Sequence, residues 1–398
     1  MGAMLNPHLS RRDARFVWVL SVLQLITWGS VFYGFALFMV PLEQALGMDR
    51  AQSSLGFSLM LLAEGVLAFP VGRWIDRGHE RALMTGGSVC VGLALLWHSQ
   101  ISSVTEFYAV WTMLGIGLAG TLYPPAFAVL TRRFPHHFRR AIIMLSFLGG
   151  LASTVFIPLV AGLIEQLGWR YALCVLASMH LLVCAPVHFV LLRHAPQKPV
   201  LTQPHNAALS TLVRQPTFWH LAVFVVLMMG VTSALPAHMV SLLRETGMSE
   251  TWALAVPASI GVLQVVGRLG LYLGEHRVNV HVTNRWVTVL IPLGFFVLLV
   301  GQGQGLWGAV FVVLYGLGNG MLTIVKGTVM AQYVSRDHMG SLNGLLGLPM
   351  ALARAAAPWL MGLMWTADAG YTSGLWLMFA VSGVGVTALW TAQKHPRL

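Results

Sequence analysis

The sequence predicts an all-α integral membrane protein. Twelve transmembrane helices form two pseudo-symmetric six-helix bundles, with both chain ends on the cytoplasmic side. Three observations lead there. Of 398 residues, 57% are hydrophobic and only 9% charged, with a mean hydropathy of +0.73. A soluble domain carries about 25% charged residues, so this chain cannot cover itself with a wetted surface. Apolar stretches long enough to span a bilayer, about 20 residues each, recur twelve times. The basic residues between them fall mostly on one side.

The spans lie near 16–40, 51–71, 82–100, 105–131, 141–164, 171–192, 218–243, 252–274, 286–302, 306–333, 341–364 and 372–392. The first follows the basic segment MGAMLNPHLSRRDAR. From Phe16 to Val40 it is too long for a signal-peptide core of roughly 7–15 residues, so it reads as a membrane helix. The longest hydrophilic link, 193–217, is punctuated by Pro, Gln, Lys and His. It divides the chain into bundles at 1–192 and 218–398. With the first residue cytoplasmic, nineteen of the 24 Lys and Arg residues fall on the cytoplasmic side. Arg50, Arg170 and Arg244 fall on the other, and Lys326 and Arg354 stay at membrane depth. This positive-inside bias fixes the orientation. It also accounts for the formal charge of +11 and pI near 10.2 without a nucleic-acid partner. Cys90, Cys174 and Cys184 lie in apolar runs without metal or redox spacing, so neither a disulfide framework nor a zinc site is expected.

The two bundles echo each other. VGRWIDR after the second span is answered by VGRLGLY at the end of the eighth. GIG at 115–117 is answered by GLG at 316–318, and PLVAG from Pro158 by PWLMG from Pro358. The three matches keep nearly constant offsets and the same order, which points to an internal duplication. Duplicated halves are how many secondary transporters build two gates around one midplane site.

Enzyme motifs fail. GNGMLTIVKGT lacks the spacing of a phosphate-binding loop, and HERAL is not a His-Glu-x-x-His zinc site. No ATP-binding domain is visible, so any transport is secondary and no cofactor is expected.

GRWIDRGHER, Gly72 to Arg81, resembles the loop 2–3 signature of the major facilitator superfamily. Gly72, Asp76, Arg77, Gly78 and Arg81 carry the match and Arg73 lies within it; the copy is about one residue short before its glycine. The resemblance implies a loop that locks the cytoplasmic gate, through carboxylate, arginine and helix-end charges that separate as the bundles rock. WGSVFYGFALFMVPLEQALGMDRAQSSLGFSLMLL, YPPAFAVLTRRF and GWRYAL resemble bacterial relatives of monocarboxylate and oxalate–formate carriers. In that group an arginine on the eighth helix, often four residues after an aspartate, helps hold the substrate carboxylate. Here the spacing is filled by Gln264 and Arg268, without the acid. The oxalate carriers also use a lysine on the eleventh helix, where this chain has Arg354.

The polar residues at membrane depth are the candidate site. Asn319, Thr323 and Lys326 fall at i, i+4 and i+7 on one stripe of the tenth helix. They face either a central cavity or, for Lys326, the cytoplasmic surface by snorkelling. Arg354, flanked by small residues, needs a partner or water at mid-bilayer. It either contacts substrate or pairs with Glu64, the one acid at membrane depth. Glu64 in turn either balances charge or carries a proton. Arg268 is either a substrate ligand or, by the internal repeat with Arg73, a cytoplasmic gate residue. Gln24, Trp28 and Tyr33 on the first helix, and Tyr123 before Pro124-Pro125 on the fourth, either line the cavity or pack helices. His180, His188 and His238 read as helix contacts.

Two cations against one acid predict a small organic anion, a carboxylate, as substrate. It would cross a bacterial inner membrane by proton symport or anion exchange, through a monomeric carrier. Efflux of a drug-like or siderophore-like molecule is the alternative. Copper uptake and a non-transporting sensor rank below it.

Overall fold

The computed structural model of the chain describes residues 10–134, 137–193, 206–274, 279–301, 305–335 and 339–394. Four residues counted in the charge bias, Lys198, Arg277, Arg336 and Arg397, lie outside the described residues, as do 194–205 of the expected linker.

The described residues are helical throughout, with one isolated bridge between Thr366 and Gly370. The first apolar run is α1 (Arg11–Thr27), a π-helical segment (Trp28–Tyr33) and α2 (Phe35–Leu46). Then come α3 (Arg50–Asp76), α4 (Glu80–His98), α5 (Val104–Ala119), α6 (Tyr123–Arg133), α7 (Phe138–Gly150) and α8 (Ala152–Ser178). A second π-helical segment (Met179–Cys184) leads into α9 (Ala185–Leu191). After α10 (Asn206–Val213), which lies inside the expected linker, follow α11 (Pro216–Glu245), α12 (Glu250–Gly274), α13 (Val280–Val287), α14 (Leu290–Val300) and α15 (Gly305–Tyr333). The last are α16 (Met339–Leu345), α17 (Gly347–Leu363) and α18 (Thr372–Lys394).

Local chemistry explains the breaks. Asp49 opens α3 with a reciprocal capping box to Gln52, and Ser103 opens α5 with one to Glu106. Prolines inside α2, α3, α8, α11, α12 and α17 are accommodated, as membrane helices allow where neighbouring helices and side chains satisfy the freed carbonyls. Among the described residues nine helical stretches are long and apolar enough to cross a membrane, by length and composition. One of them, Arg140–Leu191, has 52 residues. A straight helix of that length would run to roughly 78 Å, well over twice a hydrocarbon core. Gly168, at φ 78°, breaks it, in a backbone region that glycine adopts without strain.

Buried side chains gather in three apolar clusters. One joins α11, α12, α14, α15, α17 and α18 around Phe224, Phe295, Phe311 and Tyr315. Two lie mainly among α1 to α9; the larger, around Phe35, Phe57, Phe107 and Trp111, also takes in Ala237 and Val240 of α11 and Ala355 of α17. Between these clusters α3 packs along α17, and α8 along α12. Small residues permit the approach. A Cβ on Gly65 would strike the Ala351 side chain. One on Gly261 would fall 2.7 Å from the Gly150 carbonyl.

Candidate functional site

At mid-length of α3 and α17 the structure joins two sequence candidates. Arg354 Nη1 donates to Glu64 Oε2 at 2.8 Å, and Glu64 is only 4% exposed. The pair sits beside the Gly65–Ala351 crossing, so helix proximity and charge pairing fix each other. From α11, the Ser233 hydroxyl reaches the Arg354 carbonyl at 3.0 Å, and Gly230 lies against Ala353.

Lys326 on α15 takes a different partner set. Its Nζ lies 3.2 Å from Met229 Sδ and 3.4 Å from Thr232 Oγ1, both on α11. The Thr232 hydrogen is spent on the Met228 carbonyl at 2.8 Å, which leaves the oxygen lone pairs for the ammonium. Among the described residues no carboxylate pairs with Lys326, although it is within electrostatic range of Arg354 and Arg268. Of its stripe, Thr323 is exposed and donates back to the Asn319 carbonyl at 2.9 Å. Asn319 lies one turn deeper.

Asn319 and Gln264 line a cavity between the first helical run and α8, α11, α12 and α15. Tyr33, Tyr315 and Met239 share its walls. Its free volume is about 20 Å³, room for one or two waters. One turn beyond Gln264, Arg268 reaches across to α7, where Nη1 donates to the Ser146 carbonyl at 2.8 Å, and it lies beside the Tyr123 hydroxyl. Its Nε has no partner among the described residues. Arg268 therefore ties α12 to α7 one turn from the cavity wall.

The remaining first-helix candidates pack rather than line. Gln24 is fully buried and donates to the Thr121 carbonyl at 2.5 Å. Trp28 leans on Tyr123 with ring centroids 5.1 Å apart, and Tyr123 stacks on Phe127 at 5.2 Å. The histidines bridge helices: His180 to Ser30 at 2.8 Å, His188 to Ser88 at 2.9 Å, and His238 to the Pro358 carbonyl at 2.8 Å.

The two ends of α3 differ. At its Arg50 end a cluster absent from the sequence candidates closes the space between α3 and the later helices. Arg50 donates to Glu43 at 2.8 Å and to Glu245 at 3.0 Å, hydrogen-bonds Tyr371, and lies over the Trp365 ring at 5.0 Å. Burial holds the Tyr371 phenol protonated well above its ordinary range, outweighing the opposing pull of Arg50. Alongside, a Cβ on Gly362 would strike Ser54. Toward the Asp76 end the glycines are open instead: a methyl group added at Gly72 of α3, Gly344 of α16 or Gly347 of α17 would meet nothing within 4 Å.

The gate motif is arranged differently from the expectation. Asp76 and Arg77 are exposed, and among the described residues Asp76 makes no ion pair. The buried anion is Glu80, fully enclosed, with Arg132 at 2.9 Å and Arg133 at 3.0 Å; Arg132 also donates to the Ile75 carbonyl. Arg73 is exposed, with its guanidinium over the Phe69 ring. Gly78, at φ 90°, makes the turn that brings Glu80 back under α3. Arg81 caps the α9 end, donating to the Phe189 carbonyl at 2.9 Å with its guanidinium over the Phe189 ring.

Helices of membrane-spanning length thus gather Lys326, Arg268 and the Arg354–Glu64 pair near their middle. A model of the Major Facilitator Superfamily matches residues 17–358, and the chain belongs to that family. It is 24% identical over 378 residues to the uncharacterized MFS-type transporter YcxA of Bacillus subtilis, covering 91% of each chain. It is 28% identical to the monocarboxylate transporter 13 of Bos taurus, over 81% of this chain and 78% of that one. To the oxalate:formate antiporter of Oxalobacter formigenes it is 25% identical, over 51% and 49%. Among solved structures it resembles a bacterial homolog of the human lysosomal transporter Spinster, in an inward-facing, unoccupied conformation. That match has a TM-score of 0.72 and 16% identity, over 97% of this chain and 98% of that one. The nucleoside transporter NupG matches with a TM-score of 0.73 and 14% identity, over 96% and 99%. At these identities the structural likeness is one of fold.

Proposed function

We propose that this transporter is a monomeric secondary carrier of a small organic anion, a carboxylate, working by alternating access in a bacterial inner membrane. One observation carries the reading. Glu64 neutralises Arg354, whereas Lys326 and Arg268 rest on a thioether, a hydroxyl, a phenol and a backbone carbonyl, none of them charged. Two positive charges in a low-dielectric interior without counter-charge are costly, and a bound anion relieves that cost. The names of the monocarboxylate and oxalate:formate relatives agree with it.

In this reading Lys326 is the first anchor for the carboxylate and Arg268 the second. Asn319, Thr323 and Gln264 provide neutral contacts, while Trp28, Tyr123 and Gln24 pack behind them. Arg354 contacts the anion only if Glu64 releases it, and protonation of Glu64 would do so. That step couples transport to protons; anion exchange is the mode in which the pair stays intact. Twelve crossings, two six-helix halves at 1–192 and 218–398 and cytoplasmic termini complete the proposal; one apolar cluster lies wholly in the later half and one wholly in the earlier, while the third spans both. The Asp76 end of α3 is then the cytoplasmic end, and the Gly72–Arg81 segment serves as its gate when the bundles rock together there.

The test is flux of carboxylates into proteoliposomes containing wild type, Lys326→Gln or Arg268→Gln. Loss of saturable uptake in both variants, with retained folding, is the expected result. Wild-type accumulation by both variants would overturn the reading. A hydrophobic cation exported by all three would establish efflux instead.

A further inference from the structure

The small cavity carries information about the substrate beyond its charge. Tyr315 is only 1% exposed, yet among the described residues its hydroxyl has no hydrogen-bond partner. The ring is held firmly, stacked on Phe311 at 5.4 Å and edge-on to Phe295 at 6.0 Å. A buried hydroxyl without a partner costs on the order of 1–3 kcal/mol, and such groups call for an explanation. Tyr33, itself a hydrogen-bonding neighbour of Gln264, lies within electrostatic range of that hydroxyl, and Asn319 completes the polar part of the wall. No charged side chain lines the cavity among the described residues, and between the polar groups stand Ile157 and Met239.

The cation lies at a measurable remove. Lys326 Nζ rests against Thr232, and Pro236 and Met239 of the same helix line the cavity four and seven residues further on. At 1.5 Å of rise per residue those steps are about 6 and 10 Å. The seven residues from Asn319 to Lys326 on α15 give a similar figure, about 10 Å.

We propose that the preferred substrate is an elongated carboxylate that carries an uncharged hydrogen-bonding group about 6–10 Å from the carboxylate. Lys326 holds the carboxylate. Tyr315, Tyr33, Gln264 and Asn319 read the distal group, and the apolar wall covers the stretch between them. This rests on the anion-carrier reading and narrows it. A short acid anchored on Lys326 leaves the Tyr315 hydroxyl unpartnered. A dicarboxylate of matching length places its second charge against neutral groups.

The experiment measures affinity and flux for three probes in the full-length reconstituted carrier: acetate, 3-phenylpropionate and 3-(4-hydroxyphenyl)propionate. The hydroxylated acid is expected to bind about tenfold more tightly than 3-phenylpropionate, as one neutral hydrogen bond allows, and acetate weakest. Tyr315→Phe should bring the ratio within the pair close to one. Tyr33→Phe, on the opposite wall, serves as the second variant should the first fail to fold, and is expected to lower the same ratio. Equal affinities of the two aryl acids, or a ratio untouched by both variants, overturns the proposal. Lys326→Gln separates the layers. If it abolishes uptake of all three acids while the pair remains undiscriminated, the elongated-substrate proposal falls alone. If no acid depends on Lys326, both fall.

Discussion

Glu64 and Arg354 form the one membrane-depth ion pair among the sequence candidates, and its value depends on having both members. Removing one half of a buried pair leaves an uncompensated charge, at a cost of roughly 3–5 kcal/mol when fully enclosed. With Arg354 at 17% side-chain exposure the lower end applies. Glu64→Gln should therefore lower the thermal unfolding midpoint of the purified carrier markedly, and Glu64→Gln/Arg354→Gln should restore most of the loss. If the single and double variants melt alike, the pair is not coupled. Thr232 makes a subtler contribution. Its hydroxyl oxygen is turned toward Lys326 because its hydrogen is held by the Met228 carbonyl. Thr232→Val should raise KM for carboxylates several-fold, in keeping with the loss of one hydrogen bond, with little change in maximal rate. Thr232→Ser should behave as wild type. Initial-rate kinetics in proteoliposomes decide it.

At the scale of elements, α3 against α17 and α8 against α12 are the crossings on which the architecture rests. Gly65→Leu should be poorly tolerated because its side chain must occupy the space of Ala351. Reduced yield of folded protein by size-exclusion chromatography is the expected outcome. These elements are largely legible in the sequence: the runs of apolar residues become helices. Hydrocarbon leaves a backbone few alternatives to helix, so composition alone carries that far. Asn319 and Gln264 on the cavity wall, and Arg354 beside Glu64, also follow from polar residues standing where hydrocarbon tolerates none. The contacts between distant segments do not follow. Arg50 meets Tyr371 across 321 positions of sequence, and each reads as an ordinary loop-end residue. Glu80 is hidden behind Asp76, because a motif names residues and burial decides which acid is used. Tyr315 escapes notice because an aromatic in an apolar run reads as packing until its hydroxyl is seen to lack a partner.

On the scale of the whole molecule, the proposed alternating access requires the Arg50 cluster to open and the Asp76 end of α3 to close in turn. Arg50→Gln should loosen the closed end: a membrane-impermeant thiol reagent applied from that side should label Ala36→Cys, in a background lacking Cys90, Cys174 and Cys184, faster than when Arg50 is intact. Unchanged labelling would mean that Arg50 does not latch that end. Gly72→Leu tests the other end. With open space around Gly72 in this state, folding and thermal stability should stay near wild type while transport slows, since the side chain obstructs closure there. The unpaired charge at the centre has an electrical consequence. An empty carrier bearing Lys326 and Arg268 moves positive charge through part of the transmembrane field whenever it reorients. Each full charge crossing 100 mV corresponds to about 2.3 kcal/mol. On the proposed function a bound carboxylate cancels part of that charge, so the loaded carrier would turn over against a smaller electrical load than the empty one. Counterflow should then outpace net uptake when the interior is negative, and a potassium–valinomycin clamp at 0 mV should narrow the gap.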